Sequence, residues 1–372
     1  MAGEPPIPLF KGRIAAGAAA ALAEALASGQ LATGPRVAAF EAALGQFVGN
    51  PQVVATSDRA GALTLALRLC GVQPGDEVML SPLACLATTM PIANLHARPR
   101  WCDVDPATGM LDPDQLAARC TPRTRAIVHY HWGGDVGPLR ELQAAARALG
   151  LPLIEDASGA FGAELGGQKL GATGSDFTVY SFYAVSPLAA ADGGALFCRD
   201  AKAASRAREL RRFGIHQASF RLPGGDLNPA SDIPDAGYSF AMTDLTAALA
   251  MAQLDDAADT LARHRANGLA LDAALAGIPG LTRLWRAPDT RSAFWVYAFR
   301  ATHRASLIAA LHAAGIGAQR LHVRNDRYRC FADSVADLPG VSAFDAENLC
   351  IPCGWWVDAS GRERILGVLS AT

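Results

Sequence analysis

Eight residues of this 372-residue chain combine useful chemistry with a shared position. Asp58, Arg59, Cys85, His131, Trp132, Asp156, Ser158 and Tyr183 each follow closely on the end of a short apolar run. A carboxylate such as Asp156 can hold a cation or move a proton, and an imidazole such as His131 can do the latter near neutral pH. The Arg59 guanidinium can grip an anion with two parallel N–H donors. Amine chemistry has few candidates, because the chain holds three lysines, Lys11, Lys169 and Lys202, and none stands at such a position. Cys350 and Cys353 have redox-motif spacing. With no companion pair and no neighbouring histidine, they read as two buried thiols.

The elements that must position these residues are legible from periodicity. Helices are expected over 13–28, Pro35–Val48, Arg59–Cys70, Ala87–Leu95, Asp112–Arg119 and Leu139–Leu149, with one long helix from Thr243 to about Leu271. Unbroken apolar runs read as strands at Val53–Ala55, Glu77–Leu80, Arg98–Val104, Ala126–Tyr130, Pro152–Glu155, Asp176–Phe182 and Gly194–Phe197. Alternation of such strands with helices implies a mainly parallel sheet covered on both faces. Ligands of such folds sit beyond the carboxyl ends of the strands, where the eight residues cluster. Pro223–Asp235 reads as a surface loop. The expected division is a large domain over 1–255 and a smaller C-terminal α/β domain over 256–372.

Composition excludes several classes. Hydrophobic residues make up 51% and charged residues 18%, so a large core is expected rather than disorder. A formal net charge of -2 gives no footprint for nucleic acid or an anionic membrane. The N-terminus lacks the charged and apolar regions of a signal peptide, and eight scattered cysteines form no disulfide framework. A reducing cytoplasm is the expected compartment.

The order and spacing of many short segments resemble one family. They include Ser28-Gly-Gln-Leu-Ala-Thr-Gly-Pro35, Gly71-Val-Gln-Pro-Gly-Asp-Glu-Val78, His131-Trp-Gly-Gly134 and Ile154-Glu-Asp-Ala157. Ser181-Phe-Tyr183 with Asp192-Gly-Gly194, Arg211-Arg-Phe-Gly-Ile215, Gly237-Tyr238, and His322 with Tyr328 continue the series. The chain is similar in these segments to the DegT/DnrJ/StrS sugar aminotransferases, enzymes of pyridoxal phosphate (PLP) with the fold-type-I architecture. The resemblance implies an α/β fold with a seven-stranded, mainly parallel sheet, a homodimer, and a role in sugar-nucleotide or polysaccharide biosynthesis.

At the positions that hold the cofactor in that family, this chain departs from the pattern. The Schiff-base lysine closes a Ser-Phe-His/Tyr-x-x-Lys run, which here reads Ser181-Phe-Tyr-Ala-Val-Ser186. The Ser186 hydroxyl cannot form an imine. The Gly-Thr pair that receives the phosphate at a helix start aligns with Arg59 and Ala60, preceded by Asp58. Asp58 reads equally as a helix N-cap or as a ligand contact. The family's Thr-Phe pair aligns with Cys85 and Leu86, and a Gln beside the ring aligns with Gly159. An Asn and an Arg contributed across the dimer align with Ser239 and Ala241. Asp156 keeps the position that faces the pyridine nitrogen and Ser181 that of a phosphate contact. Either residue could instead bond locally.

Three readings stay open. In the first, no PLP is held and the pocket serves another small-molecule ligand, such as a sugar nucleotide or other anion, with Arg59, His131, Trp132, Tyr183 and His322 as contacts. His131 and Trp132 read equally as a packed pair at a strand end, and Tyr183 and His322 as groups bonded to backbone. In the second, the chain is a lysine-less sugar dehydratase that uses pyridoxamine phosphate (PMP), which would need a base at position 186. In the third, it is a non-catalytic dimer partner of an active paralogue.

Overall fold

The computed structural model describes residues 5–331 and 335–371. Met1–Glu4, part of the segment read for a signal peptide, lies outside them. Seven strands form the central sheet: β1 (Val53–Thr56), β2 (Glu77–Leu80), β3 (Arg98–Trp101), β4 (Thr124–Tyr130), β5 (Leu153–Asp156), β6 (Phe177–Ser181) and β7 (Gly194–Cys198). Their order is β1-β7-β6-β5-β4-β2-β3, and β7 alone runs antiparallel to its neighbours. The mainly parallel seven-stranded sheet is therefore as expected. Every residue of β1, β2, β5, β6 and β7 is buried, which is why these strands read as continuous apolar runs.

Helices cover both faces. α1 (Ala18–Ala27), α2 (Pro35–Val48), α3 (Arg59–Leu69) and α4 (Leu86–Asn94) come first in the chain. Val37, Phe40, Leu44 and Val48 of α2 are buried in one core cluster, and the residues 61–67 of α3 are buried beneath the opposite face. Pro91 lies inside α4 without ending it. A second, three-stranded antiparallel sheet is built from Leu281–Arg283, Tyr297–Ala301 and Asn348–Ile351, in that order. The N-terminal Ile7 bridges to Ile316 and belongs to the same core cluster as this sheet.

Three elements differ from the reading of periodicity. The first helix begins at Ala18 rather than near residue 13. Upstream, Arg13 is drawn to Asp256, Asp259 and Thr260, and the Ala15 N–H donates to Gln253, so these residues bond across the fold instead of along a helix. The third strand ends at Trp101, because the Asp103 carboxylate turns to accept from the Gly340 and Val341 N–H groups. The long helix is two, Asp244–Asp255 and Ala257–Leu275, broken at Asp256 where the Arg13 ion pair attaches. Apolar periodicity runs across each break and hides it. The segment 223–235 is irregular, as expected for a loop.

Candidate functional site

A cavity of about 520 Å3 opens at the carboxyl ends of the parallel strands. Asp58, Arg59, Ala60, Gly159, Ser181, Tyr183, Ser186 and His322 line it, with Cys85 and Ser158. Ten of the residues singled out from sequence are thus brought to one place. Two glycines set its shape. A Cβ on Gly194, the first residue of β7, would sit 2.5 Å from the Asp58 carbonyl oxygen and 2.8 Å from the Arg59 nitrogen. Only glycine lets the sheet approach the start of α3 this closely. A Cβ on Gly159 would meet the Trp295 ring at 3.0 Å, so glycine there admits the indole to the cavity wall.

The start of α3 is already filled. Asp58 is its N-cap: Oδ1 accepts from the Gly61 N–H at 2.7 Å and Oδ2 from the Ser57 hydroxyl at 2.8 Å. The capping alternative for Asp58 is the one realised, and its carboxylate takes the electropositive helix end that an outside anion would use.

Beneath the cavity, Asp156 is fully buried at the end of β5. Its Oδ2 accepts from the Thr88 hydroxyl at 2.6 Å and its Oδ1 from the Ser158 N–H at 3.1 Å. Arg59 reaches over it, with Nη1 2.6 Å from the Ser158 hydroxyl and 4.0 Å from Asp156 Oδ2. Burial by itself would lower the pKa of Arg59, but the attraction of Asp156, with smaller contributions from Cys85 and Tyr130, raises it above the ordinary arginine value. The guanidinium is a permanent cation here.

Aromatic groups close the remaining walls. The Tyr130 hydroxyl and His322 Nε2 are hydrogen-bonded at 3.1 Å. Burial, and then the nearby Arg59 charge, lower His322 to about 4, so the ring is neutral at pH 7. Phe10 and Trp295 stack with centroids 5.0 Å apart, and the Trp295 N–H donates to the Val185 carbonyl. Ser181 Oγ accepts from the Tyr183 N–H at 3.3 Å, the local bond foreseen as its alternative. Ser186 is 8% exposed, and its backbone N–H donates to the Tyr183 carbonyl. Tyr183 is 55% exposed at the mouth.

Three of the residues singled out lie elsewhere. Leu86, the first residue of α4, points outward at 39% exposure, while Cys85 and Ala87 on either side line the cavity. His131 is fully buried in a network of its own: Nδ1 meets the Val136 carbonyl at 3.0 Å and Nε2 meets Glu155 Oε2 at 2.8 Å. Trp132 packs edge-on against Phe344 and His322, and its indole N–H has no partner. Both belong to the core, as their packing alternative had it. The residues missed were Phe10, Ala87, Tyr130, Val185, Asp192, Trp295 and Leu321. Tyr130 ends a strand, so the strand-end rule could have found it; Phe10 and Trp295 arrive from distant segments with no local signal.

No lysine lines the cavity. Lys11 lies over the Trp355 ring and Lys169 over the Phe47 ring, while Lys202 is exposed at the start of the helix Ala201–Arg211. All eight cysteines are free; burial pushes Cys350 up to about 12 and Cys353 well above its usual value, as suits inert core thiols. Among the described residues, no group of three or more His, Cys, Asp or Glu could hold a metal ion, and no helix is long and apolar enough to cross a membrane.

Comparison with known proteins adds a family context. The model of the DegT/DnrJ/EryC1/StrS aminotransferase family matches residues 13–368. The spore coat polysaccharide biosynthesis protein SpsC of Bacillus subtilis (strain 168) is 32% identical over 340 residues, covering 88% of this chain and 87% of its own. Among solved structures, sugar aminotransferase CalS13 from Micromonospora echinospora superposes with a TM-score of 0.93 at 35% identity, over 98% of this chain and 99% of its own. AtS13 from Actinomadura melliaura superposes with a TM-score of 0.93 at 36% identity over the full length of both chains.

Proposed function

The chain belongs to the DegT/DnrJ/EryC1/StrS aminotransferase family, and on that premise we propose that it acts in sugar or polysaccharide biosynthesis without running PLP-dependent transamination. The observation that carries this reading is the absence of any lysine amine from the lining of the cavity. Ser186, the residue the resemblance sets at the lysine position, offers a hydroxyl, and no imine can form on it. Two further cofactor positions agree. The Asp58 carboxylate caps the helix end that would receive the phosphate. Arg59 lies against Asp156, the carboxylate that would face the pyridine nitrogen. PLP does not fit these residues.

PMP fares no better. It brings the same phosphate to the same capped helix end, and dehydration would need a base at position 186. Unperturbed serine is a poor one. The pocket instead suits a small molecule held by hydrogen bonds from Arg59, Ser158 and Ser186 and by the Phe10–Trp295 wall. We place the protein in the cytoplasm as a homodimer. The exposed Phe213, Leu222, Leu227 and Ile233, clustered in sequence, support a second copy as the partner.

Calorimetric titration of the dialysed protein, with PLP and with PMP separately, tests the proposal. The expected result is no saturable binding of either at millimolar cofactor. Saturable binding of either in the micromolar range would overturn it.

A further inference from the structure

We infer that Arg59 and Asp156 serve as each other's counter-ions, so that the inner end of the cavity admits only an uncharged part of a ligand. The inference deepens the proposed function and rests on its premise that the site does not hold PLP. Asp156 is fully buried and needs a compensating cation. The Arg59 guanidinium supplies it at 4.0 Å, and Ser158 ties the two together, donating its N–H to Asp156 and accepting from Arg59 at 2.6 Å. No second cation offsets the pair, since no lysine lines the cavity and His322 is neutral at pH 7. The helix end beside it is matched in the same way, by the Asp58 carboxylate.

Each charge at the inner end therefore has its partner within the chain. An incoming phosphate or carboxylate meets a guanidinium already neutralised, with the Asp58 carboxylate adjacent. An incoming cation meets Arg59 itself. A hydroxyl or amide disturbs neither pair and can still accept from a guanidinium N–H. The anion expected at Arg59 from the sequence is thus an internal one. Asp192, exposed at the mouth, is the other charged side chain of the lining, and it favours cations only at the entrance.

Neutralising either partner should convert the site. In Asp156→Asn the guanidinium loses its counter-ion, and the cavity becomes an anion site. In Arg59→Ala the carboxylate is left alone beside a new space, and the cavity becomes a cation site. The full-length wild type, both variants and the double variant are titrated with sodium sulfate and with methylguanidinium chloride, against sodium chloride at matched ionic strength. Thermal midpoint and calorimetry are the readouts. Wild type should show no saturable response to either, beyond the non-saturable stabilisation by sulfate and destabilisation by guanidinium common to all the variants. D156N should bind sulfate at least about tenfold more tightly than wild type, a difference of about 1.4 kcal/mol. R59A should be stabilised by methylguanidinium, and the double variant should lose that response.

Saturable binding of sulfate or methylguanidinium to wild type would overturn the inference, as would variants whose titrations match the wild type's. Should R59A fail to fold, D156N carries the test, since the asparagine retains hydrogen-bonding capacity towards Thr88 and Ser158. Cofactor binding by wild type would sink the proposed function itself. A wild type that ignores PLP and PMP yet takes up sulfate would sink only the inference.

Discussion

Acid should unfold this protein through its buried histidines. Burial lowers both His264 and His322 to about 4, and it holds His129 well below its usual value. In the unfolded chain each titrates near 6.5, so between those values the unfolded state binds more protons. Stability is complete above pH 6.5 and falls as the pH drops towards 4. For one such histidine the loss at pH 5 is about 2 kcal/mol, and it approaches about 3 kcal/mol below pH 4. His264 and His322 together should remove about 4 kcal/mol at pH 5, a large part of the 5–15 kcal/mol typical of a native protein. His264 isolates the effect because it lies away from the cavity. Its Nδ1 donates to the Phe294 carbonyl at 2.8 Å, and its Nε2 has no partner. His264→Gln keeps a donor for Phe294 and cannot titrate. Urea unfolding of wild type and variant at pH 7 and pH 5 gives the comparison. The wild type should lose about 2 kcal/mol more than the variant over that interval. An equal loss in both would refute the claim that His264 must stay neutral to fit.

Other substitutions probe the remaining assignments. Asp58→Ala removes the N-cap of α3 and should cost about 1 kcal/mol in urea unfolding. Glu155→Ala strips the buried His131 of its carboxylate partner and should cost roughly 3–5 kcal/mol, read as a fall in the thermal midpoint. Trp132→Phe deletes an indole N–H that has no partner, so its cost should be the lost packing alone, about 1–3 kcal/mol by the same measurement. In the native protein Cys330, which is exposed, should react with a thiol reagent while Cys350 and Cys353 stay protected until denaturation, as peptide mapping would reveal.

The central sheet was legible because its strands are buried on both faces and so stand out as apolar runs. The cavity was legible in part, because the strand-end rule and the family resemblance converged on Asp58, Arg59, Cys85 and Tyr183, while the resemblance alone supplied Ser181 and His322. What stayed hidden depends on directions and partners that spacing does not encode. His131 and Cys85 both follow strands, yet one turns inward to Glu155 and the other faces the cavity. The Arg59–Asp156 pair joins residues 97 positions apart in the chain (156 minus 59), and neither local pattern announces the other. Breaks at residue 256 and before residue 18 were masked by alanine, which fits a helix wherever tertiary contacts permit one.

The most direct test of the account is borohydride reduction of the protein incubated with PLP, followed by peptide mapping of pyridoxyl adducts. The account predicts at most trace labelling of Lys11, Lys169 and Lys202, equal in the native and the unfolded chain. One stoichiometric adduct on a single lysine of the native protein would contradict it.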